Sequence, residues 1–258
     1  MIYRIYSMNL NYKLEGNGKT LVFIHGLSDN LNYWQPLVEH LKNDYQILRY
    51  DLRGHGLSEE GYDDITMDVY LEDLLYLLDE LNLKMVTLAG LSLGGAIALN
   101  FAIKHPERVS SMLLMSTFHK VDGESIVIFK KLKNSLEKGF IEFFDEIIPM
   151  VLCPKVIEDN MEALNLIKEE ASKTANITAY ISAIDVCLNQ DVEDKLKDIT
   201  IPTLIFAGKY DEISPLKIQE DLNNKLNNSE IIIFDNVKHN ILIGENIDKI
   251  SNIVKEFI

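Results

Sequence analysis

Cysteine, tryptophan and positive charge are all scarce in this 258-residue chain, and each scarcity excludes something. Two cysteines, Cys153 and Cys187, supply neither a disulfide framework nor a thiolate-rich metal site. Lysine and arginine number 25 against 40 acidic residues, a net charge of −15. Nucleic acid and anionic membrane would both repel such a surface, so neither is an expected partner. The acidic residues are spread along the chain rather than blocked, as befits a solubility feature. Only six prolines occur, and there is no flexible linker, low-complexity tract or internal repeat. The segment from Met1 to Ser7 lacks the apolar stretch of a signal peptide, so a cytoplasmic location is expected. One run of 19 residues without charge, Met85 to Ile103, is long enough on paper to span a bilayer. Three glycines with Thr87, Ser92 and Asn100 interrupt it, and a buried strand followed by a buried helix explains the same composition.

That run is also the stretch around which the chain is organised. A β-prone segment, Met85 to Ala89, breaks at Gly90, and a helical pattern with Ile97, Phe101 and Ala102 follows Gly94-Gly95. The intervening Gly90-x-Ser92-x-Gly94 reads as a nucleophile elbow. A turn this sharp strains its central residue and requires almost no side chain two positions to either side. Such a turn exposes the Ser92 hydroxyl at the end of a sheet. The first amides of the next helix then point to where negative charge would develop.

The flanking pattern predicts an α/β protein with a mostly parallel sheet and helices on both faces. Strands are expected at Ile2 to Tyr6, Leu10 to Leu14, Leu21 to Ile24, Tyr45 to Tyr50, Val109 to Met115, Thr203 to Gly208 and Glu230 to Phe234. Glu15-Gly-Asn-Gly18 reads as a turn between hairpin arms. Helices are expected at Tyr33 to Lys42, Thr66 to Leu81, Pro215 to Leu226 and Ile247 to Phe257. From Phe118 to Asp198 the rhythm changes to helix alone, with patterns at Ile126 to Ile148, Lys155 to Lys173 and Thr178 to Leu188. Residues 1–117 and 199–258 are therefore expected to form the core domain. Residues 118–198 are expected to form an inserted helical cap over the carboxyl edge of the sheet, where open α/β sheets bind ligands.

A serine hydroxyl needs a base within hydrogen-bond reach, and the base needs an orienting partner. On an elbow scaffold the order along the chain is serine, acid, histidine. Of six histidines, only His239 lies late, in a loop between the last strand and the last helix. Asp211, three residues past the strand ending at Gly208, is the expected acid, with Glu212 and Asp235 as competitors. Two fixed donors are needed for an oxyanion: the amide of Leu93, directly after the serine, and the amide of Leu27. Gly26 lets the backbone approach a reacting carbonyl, and His25 reads as a structural loop histidine.

Taken together, His25-Gly26, Asp51-x-Arg53-Gly54-His55-Gly56-x-Ser58, the elbow, Gly208-x-x-Asp211 and His239 resemble the α/β-hydrolase fold superfamily, in its small-molecule serine esterase and lactonase branch. The resemblance implies an eight-stranded, mostly parallel sheet with a helical cap, a Ser92–His239–Asp211 triad, and no cofactor or metal. A serine at the elbow sets the chain apart from the related dehalogenases and epoxide hydrolases, which carry aspartate there. Arg53 and His55 read as structural. The expected substrate is a small or medium carboxylic ester, lactone or thioester, cleaved through an acyl-enzyme. Apolar contacts are expected from Leu27, Leu91, Leu93, Ile213 and Trp34, with Gly26 beside them. A C–C bond hydrolase or lyase, a perhydrolase, and a ligand receptor with little turnover share the same residues and stand as alternatives.

Overall fold

The computed structural model describes residues 9–61 and 64–258; the strand expected at Ile2 to Tyr6 lies outside them. Among the described residues, seven strands form one sheet in the order β1-β3-β2-β4-β5-β6-β7. They are β1 (Tyr12–Glu15), β2 (Thr20–Ile24), β3 (Gln46–Tyr50), β4 (Val86–Leu91), β5 (Val109–Met115), β6 (Thr203–Gly208) and β7 (Ser229–Phe234). Every neighbouring pair is parallel except β1 with β3. The interior strands β4 and β6 are buried along their whole length, as their apolar runs require.

The hairpin expected around Glu15 to Gly18 does not form. β1 and β2 never pair, because β3 lies between them, with Tyr12 opposite Tyr50 and Ile24 beside Tyr50. Gly16, at φ +78°, sits directly on the carbonyls of Lys42 and Tyr45, so the turn passes across the start of β3 instead of folding back. Inserting β3 there buries its Ile47-Leu48 pair on both faces of the sheet.

Strand residues alternate between two cores, as a period of two demands. Leu21 and Phe23 face a core closed by α1 (Gln35–Leu41) and α10 (Asn246–Phe257). Val22 and Ile24 face the other, filled by α2 (Met67–Glu80) and α3 (Leu93–Lys104). Thr66 caps α2 by accepting a hydrogen bond from the Val69 amide, and Leu71, Leu74 and Leu78 then share its buried stripe. The helix after the elbow, α3, is buried nearly all round.

Between β5 and β6 the described chain is helical: α4 (Gly123–Leu136), α5 (Phe140–Val151), α6 (Pro154–Asp159), α7 (Met161–Thr174) and α8 (Ile177–Leu188). The pattern expected as one helix from Ile126 to Ile148 is broken at Gly139, whose φ of +148° no helix accommodates. The pattern from Lys155 to Lys173 also breaks, at Asn160, whose φ of −123° and ψ of 18° depart from the helix without entering the left-handed region. These helices pack largely on one another, α4 against α5 and α8, and α5 against α7. The two ends of the insertion are joined: Lys120 and Asp191 form a β-bridge, Val121 donates to the Gln190 carbonyl and Val192 to that of His119. One further helix, α9 (Leu216–Lys225), connects β6 to β7. No helix among the described residues is long and apolar enough to cross a membrane.

Candidate active site

Ser92 stands between the end of β4 and the start of α3 with φ 52° and ψ −115°, a left-handed backbone that costs about 1–3 kcal/mol for a non-glycine residue. Close packing enforces it. A Cβ built on Gly90 would lie 2.3 Å from the Gly94 carbonyl oxygen, and one on Gly94 would lie 2.1 Å from that of Ile24. The strained peptide is tied to the neighbouring strand. Ser92 N–H donates to the Met115 carbonyl at 2.9 Å, and Thr117 Oγ1 donates to the Ser92 carbonyl at 2.7 Å.

His239 and Asp211 meet. His239 Nδ1 lies 2.9 and 2.8 Å from the two oxygens of Asp211, and both side chains are buried. Asp211 is itself fixed by donors: the amides of Ile213 and Ser214 reach Oδ1 at 2.9 Å, and Gln219 Nε2 approaches Oδ2 at 3.4 Å. The competing acids are engaged elsewhere, Glu212 by Lys238 and Asp235 by Lys209 at 2.8 Å. An Nδ1–H bound to a carboxylate leaves Nε2 as the free, basic nitrogen. No hydrogen bond joins that nitrogen to Ser92 among the described residues; the two side chains meet instead as walls of one cavity.

That cavity, about 340 Å³, is lined by Gly26, Leu27, Leu91, Ser92, Ile213 and His239. The Leu93 amide opens α3, where no intrahelical partner exists for it. No other hydrogen bond engages the Leu27 amide among the described residues. The sequence did not single out the rest of the lining. The roof is the apolar face of α5, with Phe140, Phe143, Phe144, Ile147 and Ile148, joined by Leu164 and Ile167 of α7. Its signal was the spacing of three, four and seven along α5. One side is polar: Ser28, Asp29, Asn30, Tyr33 and Asn240.

Trp34, expected as a substrate contact, is not one. It is fully buried, stacks on Phe23 at 4.7 Å and 17°, and belongs to the core on the opposite face of the sheet. Its neighbour Tyr33 lines the cavity instead, and the Tyr33 hydroxyl donates to Asn240 Oδ1 at 2.8 Å. Adjacent residues on the 3-10 turn Leu31–Trp34 point apart, which reverses the two roles.

A second hollow, about 670 Å³, lies between the start of α4 and α9 and contains neither Ser92 nor His239. Beside it, potential ligand atoms of His119, Glu193 and Asp221 lie within 4.8 Å of one another. Both carboxylates are already paired with protein cations: Lys120 and Lys225 each reach Glu193 at 2.8 Å, and Lys225 lies 3.2 Å from Asp221. Glu193 is accordingly held down to about 2 by hydrogen bonds from both lysines.

The remaining motif residues form a buried frame. Asp51 accepts the Leu31 and Leu57 amides at 2.7 and 2.8 Å, and Arg53 makes a two-point contact with Asp73 at 2.9 and 2.7 Å. His25 Nδ1 contacts the Gly26 carbonyl at 2.8 Å while Nε2 accepts the Leu52 amide at 2.9 Å, so the ring is a neutral strut. Burial pushes His25 down to about 4 and, with His25 beside it, His55 down to about 3, from an ordinary 6.5. A histidine whose folded pKa is lowered takes up a proton on unfolding below its unfolded pKa. The two histidines therefore make stability fall as pH drops from about 6.5 towards 4. Asp29, raised from 3.8 to about 7, has the opposite sign over that window and offsets one of the two protons. Urea midpoints measured from pH 7 to 5 are expected to decline; a flat or rising profile contradicts the buried neutral imidazoles.

The family model described as "Serine aminopeptidase, S33" matches residues 17–246 of the chain. A 3-oxoadipate enol-lactonase 2 of Acinetobacter baylyi is 28% identical over 207 residues, 80% of this chain and 77% of that protein. A proline iminopeptidase of Saccharolobus solfataricus is 28% identical over 285 residues, 99% and 90% of the two chains. Among solved structures, the α/β-hydrolase MGS-M2 from a deep-sea metagenome library superposes with a TM-score of 0.90 at 24% identity, covering 97% of this chain and 94% of its own. The enol-lactonase of Burkholderia xenovorans LB400 gives 0.89 at 23% identity, covering 98% and 97%. The fold built from these seven strands is thus the α/β-hydrolase fold, and the chain belongs to the serine aminopeptidase S33 family of hydrolases.

Proposed function

We propose that the chain is a serine hydrolase that cleaves a small or medium carboxylic ester, lactone or thioester through an acyl-enzyme on Ser92. The observation that carries this reading is the His239 Nδ1 contact with Asp211 at 2.8 Å, on a cavity that Ser92 also lines. In the first step His239 Nε2 takes the proton of Ser92 as its oxygen attacks the acyl carbon. The Leu27 and Leu93 amides receive the oxyanion. The alcohol or thiol then leaves with the proton from His239. In the second step water gives a proton to His239, attacks the acyl-enzyme, and the acid departs as Ser92 regains its hydrogen. Catalytic hydrogen bonds often tighten only once substrate is bound, which accommodates the open Ser92–His239 geometry.

Cavity chemistry supports an acyl substrate with an apolar portion. The aromatic and aliphatic side chains of α5 form an apolar roof, and about 340 Å³ suits a small molecule rather than a polymer. The enol-lactonase relative and a pimeloyl-[acyl-carrier protein] methyl ester esterase of Legionella pneumophila, 26% identical over 238 residues, fit the same reaction class. The test is labelling with a fluorophosphonate and mapping of the adduct by mass spectrometry. A single adduct on the peptide containing Ser92, together with turnover of 4-nitrophenyl butyrate, is the expected result. No adduct and no turnover would replace the hydrolase with a binding protein of the same fold.

A further inference from the structure

The polar side of the cavity carries a carboxyl group that the reaction above does not use. Asp29 follows Gly26 and Leu27 on the loop that supplies the Leu27 amide, and its own N–H closes a turn onto the Gly26 carbonyl at 3.4 Å. Ser28 before it is locked at φ 58°, so the direction of the next side chain is set by the backbone. One carboxylate oxygen, Oδ1, accepts the Asn30 amide at 2.8 Å. The other has no hydrogen-bond partner among the described residues, and Asp29 lines the same cavity as Ser92 and His239. Among the described residues, no lysine or arginine lines that cavity. Asp29 is only partly buried, so that oxygen is open to the cavity and to water, and a donor on a bound substrate would take the water's place.

We propose that Asp29 is a specificity-determining residue: its carboxylate selects against substrates that carry a negative charge and favours uncharged or cationic ones. The proposal rests on the acyl-transfer reading, since it concerns the substrate of that same cavity. Like charges brought together in such a site cost enough to suppress binding at least tenfold, by an order-of-magnitude estimate. An ammonium or hydroxyl donor would instead pair with the free oxygen. Burial raises the Asp29 carboxyl to about 7, with the Asp51 carboxylate adding to the effect and the Asn30 amide opposing it. Tyr33 and Tyr180 are the other titratable groups that feel its charge, and burial holds both phenols neutral. His239 is the remaining titratable group in the lining. Discrimination is thus expected to be strongest above pH 7.

Three methyl esters of one chain length read the effect: methyl hexanoate, monomethyl adipate and methyl 6-aminohexanoate. Each is measured at pH 8 as kcat/KM with the unmodified chain and Asp29→Asn, and as Kd with Ser92→Ala and Ser92→Ala/Asp29→Asn. In the presence of Asp29 the amino ester is expected to exceed monomethyl adipate by at least tenfold, by order of magnitude. In Asp29→Asn both charged esters should converge on methyl hexanoate. In the unmodified chain, the ratio of monomethyl adipate to methyl hexanoate should rise between pH 8 and 6. The common dependence on His239 cancels in that ratio. Identical ratios with and without Asp29, at both pH values, overturn the proposal while leaving the hydrolase intact. The expected order of Kd values without any Ser92-dependent turnover leaves the charge selection standing and overturns the reaction instead.

Discussion

Ser92→Ala is expected to lower kcat/KM for 4-nitrophenyl butyrate by roughly 10⁴-fold or more, and His239→Ala by a similar factor. The size follows from the arrangement. Ser92 without a base is an ordinary alcohol, and His239 without Ser92 has nothing to activate, so each loss removes the whole covalent route. The double variant Ser92→Ala/His239→Ala should therefore be no slower than either single one. Residual rate over water would come from the Leu27 and Leu93 amides and the cavity walls, which both variants keep. Asp211→Asn should retain the fold, since an amide oxygen can still accept the Ile213 and Ser214 amides. Nevertheless, it should lose roughly 10⁴-fold in kcat, because its NH₂ no longer holds His239 in the Nδ1–H tautomer. Steady-state rates together with fluorophosphonate labelling check all four variants. Independent, multiplying losses in the double variant would show that Ser92 and His239 do not act as one unit.

Gly94→Ala is expected to destabilise the chain by about 3 kcal/mol or more, a fall in Tm of about 6–12 °C for a domain of this size, or to prevent soluble expression. The added methyl would sit 2.1 Å from the Ile24 carbonyl oxygen and 2.6 Å from that of His25. Both obstacles are backbone, and β2 cannot retreat without giving up its pairing with β4. Gly244→Ala is the comparison. Gly244 has a left-handed φ of 54° but nothing within 4 Å, so only conformational strain of about 1 kcal/mol is expected there. Thermal unfolding of the two variants separates close approach from strain. Equal losses would mean that the packing of α3 against β2 is looser than the distances state.

Much of this was legible because short-range chemistry constrains it. Leu21 to Ile24 and Thr203 to Gly208 carry apolar side chains on both faces, and such runs end as strands wherever a polar or glycine-rich turn follows. Placing Asp211 and His239 at one sheet edge required only that parallel strands deliver their loops to the same end. The features that were not legible depend on long-range packing. Nothing local distinguishes a hairpin turn at Gly16 from a crossing over β3, since both need the same glycines. Trp34 and Tyr33 are adjacent and aromatic, and only the tertiary position of the 3-10 turn decides which faces Phe23 and which faces Asn240. Asp29 drew no notice because an acidic loop residue is normally solvated; its significance comes from what surrounds it.

The pairing of Lys120 with Asp191 makes the helical insertion a closed excursion from a single point of the sheet. Beneath that point β5 and β6 lie hydrogen-bonded side by side, with Leu113 next to Leu204. The entropy of closing such a loop changes only slowly with its length, by about 0.6 kcal/mol for each doubling. Changes in the length of that excursion therefore cost the frame little in closure entropy. However, α5 and α8 are tied to the frame, by the Asn240 amide on the Val151 carbonyl and by Tyr180 against His55, and a replacement must reproduce that packing. On the proposed acyl-transfer reading, individual side chains of the cavity roof can change while Ser92, Asp211 and His239 stay where they are. In evolutionary terms, the chain separates the choice of what it cleaves from the means of cleaving it.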